Sequence, residues 1–201
     1  MTFSFLRRLA RASLCSFALA AALPALAGDA VVPRGLKGLD LGLPKAAALQ
    51  VVERLQLGSP LKCSANSAGE EHCQAGPLPA SAGFTFARER VHYLALSFTS
   101  SGVLDQVALT MGQEISPARV DAFGEIAETL AAAAGANPQV FAGGSMGDVW
   151  LRWKDGKGEL LLTMSQFQRG VQVQAFLRSA ARAPDAFTKR SRGNERFLGD
   201  L

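Results

Sequence analysis

Residues 94–111 read Leu-Ala-Leu-Ser-Phe-Thr-Ser-Ser-Gly-Val-Leu-Asp-Gln-Val-Ala-Leu-Thr-Met, and their period decides the fold. Leu94, Leu96 and Phe98, then Val107, Leu109 and Met111, occupy alternate positions on either side of Ser100-Ser101-Gly102. Successive strand side chains point to opposite faces, so period two on both sides of a Gly turn specifies an antiparallel hairpin with one buried face. Phe84 and Phe86 extend the pattern upstream. It resumes downstream at Val149, Leu151 and Trp153; at Leu160, Leu162 and Met164; and at Val171, Val173, Ala175 and Leu177. Asp155-Gly156-Lys157-Gly158 and Arg169-Gly170 supply the turns between these runs.

Each group of strands is preceded by a helical period. From Gly42 to Leu57, Ala48, Val52 and Leu55 recur at helical spacing, Pro44 suits a first turn, and Gly58-Ser59-Pro60 ends the run. The second helix is expected over Pro117–Ala134, with Ser116 as N-cap, Val120, Phe123, Ala127 and Leu130 as the apolar stripe, and Gly135 past its end. Pro44 and Pro117 hold matching places 73 residues apart, while the turn glycines Gly102 and Gly156 are 54 apart. A polar insertion in the first half, the loop 59–83 around Cys63 and Cys73, accounts for the difference. A lone half would leave a sheet face bare and two edges open. The expected fold is therefore α+β: two helix-plus-three-strand repeats merged into one antiparallel sheet, with both helices on one face.

This order of elements, with the Leu-Gly-Leu-Pro lead-in at Leu41–Pro44 and a small disulfide loop, resembles the β-lactamase inhibitory protein-like fold over roughly Gly35 to Arg178. A single-repeat relative of that fold is the small lipoprotein of the outer-membrane β-barrel assembly machinery. The resemblance implies action by binding other proteins, and it carries over no functional residue. The sequence lacks a lipobox, since Leu14 precedes Cys15 where a small residue is required.

The first 27 residues read as an export address. Arg7, Arg8 and Arg11 form a basic n-region, Leu14 to Leu23 is almost wholly apolar, and Ala25-Leu26-Ala27 offers a signal-peptidase site before Gly28. Pro24 cuts the apolar run short of the ~20 residues that span a bilayer. The expected organisation is a cleaved signal peptide at 1–27, one domain over 28–182, and a flexible basic tail at 183–201. Of the 21 basic residues three lie in the leader, leaving 18 against 17 acidic ones. With the chain after the leader nearly neutral and its body, residues 28–177, mildly acidic, no basic face for nucleic acid is expected. Stable membrane insertion is not expected either, and the location is periplasmic or secreted.

Export permits a disulfide, and closing an 11-residue loop between Cys63 and Cys73 is worth about 3 kcal/mol in chain entropy. The rival is a metal site of Cys63, Glu70, His72 and Cys73, which lacks the close ligand pairs of structural zinc sites. Gly143-Gly144-Ser145-Met146-Gly147 matches the Gly-x-Ser-x-Gly of serine hydrolases. A nucleophile elbow needs a helix after the serine, whereas here a strand pattern follows, and both histidines, His72 and His92, precede Ser145. No catalytic residue, cofactor or metal is assigned. His92 reads as a strand-end residue, and Glu70-Glu71 as a solvated charge pair.

If Leu94, Val107, Leu151, Leu162 and Val173 face the helices, the alternate positions carry Tyr93, Trp150, Arg152, Gln172 and Gln174 outward. Tyr, Trp and Arg are the residue types of interface hot spots. The expected function is a non-enzymatic protein-binding module (an inhibitor, adaptor or assembly factor) that uses this helix-free face against another envelope or extracellular protein. The alternative is a carrier of a small apolar or peptide-like ligand between sheet and helices.

Overall fold

The computed structural model describes residues 31–142 and 148–182. The expected signal peptide, the residues around Ser145 and the tail 183–201 lie outside this range. In chain order the elements are β1 (Gly35–Leu36), β2 (Leu39–Asp40), α1 (Lys45–Arg54), β3 (Lys62–Ala65), β4 (Glu71–Ala75), β5 (Thr85–Phe86), β6 (Glu89–Phe98), β7 (Leu104–Met111), α2 (Ala122–Ala134), β8 (Gln139–Ala142), β9 (Val149–Lys154), β10 (Gly158–Phe167) and β11 (Gly170–Ser179). β1 and β2 form a small ribbon. The other strands form one antiparallel sheet in the order β3-β4-β6-β7-β11-β10-β9-β8, with β5 added to the start of β6.

The expected α+β class is overturned. Of the described residues 45% are strand and only 18% helical, in two helices, so the protein is mostly antiparallel β. The repeats of one helix and three strands, merged with both helices on one face, do not describe it. The main sheet path takes four strands from each half of the chain: β3, β4, β6 and β7 from the first, β8 to β11 from the second. The loop 59–83, read as an irregular insertion, holds the β3–β4 hairpin and extends the sheet at one margin.

Both helices start later than their sequence periods suggest, for the same reason. The lead-in to each is non-helical backbone bonded to the start of the last strand of its half. Gly42 N–H donates to the Leu104 carbonyl and Leu104 N–H to that of Leu43, both at 2.8 Å, and Pro44 bridges Val103. Ala118 and Val171 exchange backbone bonds of 2.8 and 3.3 Å in the same way. Residues 117–121 are thereby kept out of α2, and Val120, expected in the apolar stripe, is 71% exposed. Ser116 pairs its backbone with Gln113 instead of capping, and the residue before the helix is Asp121. The buried stripe is Ala122, Ile126, Leu130 and Ala134, and Gly135 ends the helix at φ 64°.

Leu94, Val107, Leu151, Leu162 and Val173 are all buried in one cluster, together with Val32 and Leu39 of the N-terminal lead, Ala48 and Val52 of α1, and Ile126 and Leu130 of α2. Trp153 lies within it, its indole N–H satisfied by the Ala136 carbonyl at 2.9 Å. A buried ring nitrogen without such an acceptor would cost free energy. The segment leading into β1 is fastened by Asp155, which accepts from Val32 N–H at 3.0 Å and from the Arg34 guanidinium at 2.6 Å while closing its own turn through the N–H groups of Lys157 and Gly158.

Candidate functional site

Directly opposed residues in an antiparallel pair share a face, so the register assigns every side chain on the sheet surface opposite the main cluster. One row across the strands runs Tyr93, Thr110, Gln174, Thr163, Trp150, Phe141. The next runs Gln74, Ala95, Ala108, Phe176, Leu161, Arg152, Gln139. A third runs His72, Ser97, Gln106, Arg178, Glu159, Lys154. Tyr93, Trp150, Arg152, Gln172 and Gln174 therefore lie on one face, as the alternation implies. Gln172 stands two residues from Gln174 on β11, opposite Ser165.

Their surroundings are less uniform than the sequence suggests. Tyr93, Gln172 and Gln174 are half-buried, and the Gln174 amide donates to Thr110 Oγ1 at 3.2 Å. Trp150 is only 6% exposed and packs with Phe141, Leu161 and Phe176 in a second apolar cluster that contains no helix residue. Arg152 is held rather than presented: its Nε lies 3.1 Å from Glu159 Oε2, while Arg178 Nη1 reaches Oε1 of the same carboxylate at 3.2 Å. The Arg178 guanidinium also lies 5.2 Å from the Phe176 ring centroid, within cation–π range. The β8–β10 side of this face is thus apolar and ion-paired, and the β4–β7 side is polar.

At the polar margin a cleft of about 260 Å³ is lined by Ser64, Asn66, Glu70, His72, Ser97 and Arg182, among others. His72 Nδ1 stands 3.3 Å from Ser97 Oγ, directly across the strand pair. Arg182 is committed to Asp105 at 2.7 Å. Burial pushes the Asp105 carboxyl up, Arg182 opposes this, and the charge of Glu70 adds to the rise. A second, wider groove of about 730 Å³ lies at the β10–β11 turn, between Phe167 and the exposed Ile115.

Cys63 and Cys73 are opposed in the β3–β4 register and bonded as a disulfide. Cys63, Glu71 and Cys73 are close enough to suggest a metal site, but both sulfurs are consumed by the bond and Glu71 binds Lys45 Nζ at 2.6 Å. Neither Glu70 nor His72 completes that set. Glu70 instead accepts from the Asn66 amide at 3.0 Å. His92 sits at a register shift in β6 and is buried; desolvation, then the charge of Arg90, pushes its imidazole below the usual histidine value. Ser145 lies outside the described residues, but its flanks are β8 and β9, paired with each other, and not a strand and a helix.

Comparison of the chain with family models, with curated proteins and with solved structures returns no match.

Proposed function

We propose that this is an exported, non-enzymatic protein-binding module, acting in the periplasm or after secretion as an inhibitor, adaptor or assembly factor, with an envelope or extracellular protein as its partner. The observation that carries this reading is the register, which gathers Tyr93, Gln172, Gln174, Trp150 and Arg152 on one face of a broad sheet. Tyr, Trp and Arg are residue types of interface cores, and the Thr and Gln side chains between Tyr93 and Trp150 are of the polar kind found at interface rims. Export is supported by the Arg7–Ala27 pattern and is compatible with the Cys63–Cys73 disulfide. The resemblance in element order implies a binding role as well.

The accessible half of the face is where contact is made, so the decisive variants are Tyr93→Ala and Gln174→Ala rather than the buried Trp150. Immobilised protein should recover a discrete partner from an envelope extract, and the double variant should lose most of that recovery while keeping its circular dichroism. Undiminished recovery would remove the sheet-face reading. The carrier alternative gains no support: Leu109, Met111, Ile126 and Leu162 are buried together in the main cluster, and both described clefts lie at the ends or margins of strands.

A further inference from the structure

Among the described residues β3 is the outermost strand at its end of the sheet, and all four of its residues are exposed. Antiparallel ladders alternate between hydrogen-bonded and non-bonded pairs, so a single known bond sets the parity of the rest. Asn66 N–H donates to the Glu70 carbonyl at 2.8 Å. Ser64/His72 and Lys62/Gln74 are therefore the bonded pairs, and Cys63/Cys73 and Ala65/Glu71 the non-bonded ones. The N–H and C=O of Cys63 and Ala65 consequently point away from β4. Among the described residues nothing bonds them.

Native sheets usually blunt such an edge with charge, proline or a covering segment. Here Pro60 and Lys62 guard only the approach, and Cys63-Ser64-Ala65 offers small uncharged side chains. The disulfide ties this strand to β4, so its ordering cost is already met before anything docks. By the same parity Ser64 shares its face with His72 and Ser97, beside the polar cleft. Within that cleft Arg182 is paired with Asp105, and Glu71 with Lys45. Glu70 is left with a neutral amide partner, Asn66, and hence an uncompensated negative charge among the described residues.

We infer that the partner of the proposed binding module adds an extended segment to β3 as a further strand, bonded to Cys63 and Ala65, with a Lys or Arg opposite Ser64 whose charge meets Glu70. Main-chain bonds supply the affinity of such strand addition, and the alternate side chains its selectivity. This rests on the protein-binding reading and specifies where and how the segment engages.

The probe is acetyl-Thr-Val-Thr-Lys-Thr-Val-Thr-amide, added to the full chain after leader removal, with amide hydrogen exchange read residue by residue. Without peptide the Cys63 and Ala65 amides should exchange fast and those of Lys62 and Ser64 slowly; with peptide all four should be protected. Replacing the peptide Lys by Glu should weaken binding about tenfold, and Glu70→Gln should erase that difference. Ala65→Pro removes one outward N–H and none of the β3–β4 bonds, so it should abolish binding with the disulfide intact. Protection confined to other strands, no protection at millimolar peptide, or concentration-dependent protection without peptide, which would mean pairing of two copies, overturns the inference. Partner recovery that depends on Tyr93 and Gln174 but survives Ala65→Pro would sink this proposal and leave the sheet-face reading standing.

Discussion

At the scale of single residues, Asp155 shows how one carboxylate joins distant parts of the chain. Burial works against its charge, but the N–H of Lys157, the Arg34 guanidinium, and the N–H groups of Val32 and Gly158 outweigh that and hold its pKa at about 2. Because the folded value lies below the ordinary 3.8, its contribution is complete above that pH and is lost as pH falls toward 2. Asp155→Ala should cost about 1–3 kcal/mol, since the N–H groups of the buried Val32 and Gly158 lose their acceptor. Urea titrations between pH 7 and 2 should show wild type and variant converging at the acid end; a constant gap would refute the assignment. The face of each candidate residue was legible from period two alone. Its burial was not, because Phe141, Leu161 and Phe176 converge on Trp150 from three other strands, and Arg152 finds Glu159 only once the β9–β10 hairpin closes. Leu161 and Phe176, apolar at positions that alternate with Leu160, Leu162, Ala175 and Leu177, are the sequence signal for that second cluster.

At the scale of elements, what could be read depended on contrast between the two faces of a strand. β6, β7 and β9 to β11 line the main cluster with large apolar side chains at alternate positions, and that alternation is plain in the sequence even where Trp150 and Leu161 are buried on the other face. β3 buries nothing and β4 buries only Cys73 and Ala75, so neither shows an apolar period. The helix starts were misplaced because local propensity does not register the backbone bonds from Leu104 and Val171. One of those junctions is unusually tight. Gly112 has φ +73°, and a Cβ there would collide with the Ala118 backbone nitrogen and come within 2.7 Å of the Val171 carbonyl, whereas Gly135, at φ +64°, has open space around it. Both substitutions to Ala pay about 1–3 kcal/mol for the left-handed backbone. Gly112→Ala must also displace the start of α2, so its midpoint in thermal unfolding should drop clearly further than that of Gly135→Ala. Equal drops would show that the junction yields.

At the scale of the whole molecule, β7 and β11 join the halves through six opposed pairs from Val173/Met111 to Arg178/Gln106, and the main cluster draws on both sides of that seam. Unfolding should therefore be a single transition, with far-ultraviolet and near-ultraviolet signals coincident. Leu109→Ala and Leu162→Ala, one in each half, should move that same transition, each by about 2–5 kcal/mol. A biphasic curve, or two stable fragments after limited proteolysis, would separate the halves. The paired lead-ins carry a further consequence. If the Pro44–Val103 bridge corresponds to the Ala118–Val171 bridge, Val103 maps onto Val171, 68 positions on, and the same offset maps Ala108 onto Phe176. Those two residues are directly opposed in the seam, so an approximate dyad passes between them. True twofold symmetry would place identical residues at that point; an alanine facing a phenylalanine ring breaks it, and does so on the surface where the polar and aromatic territories meet.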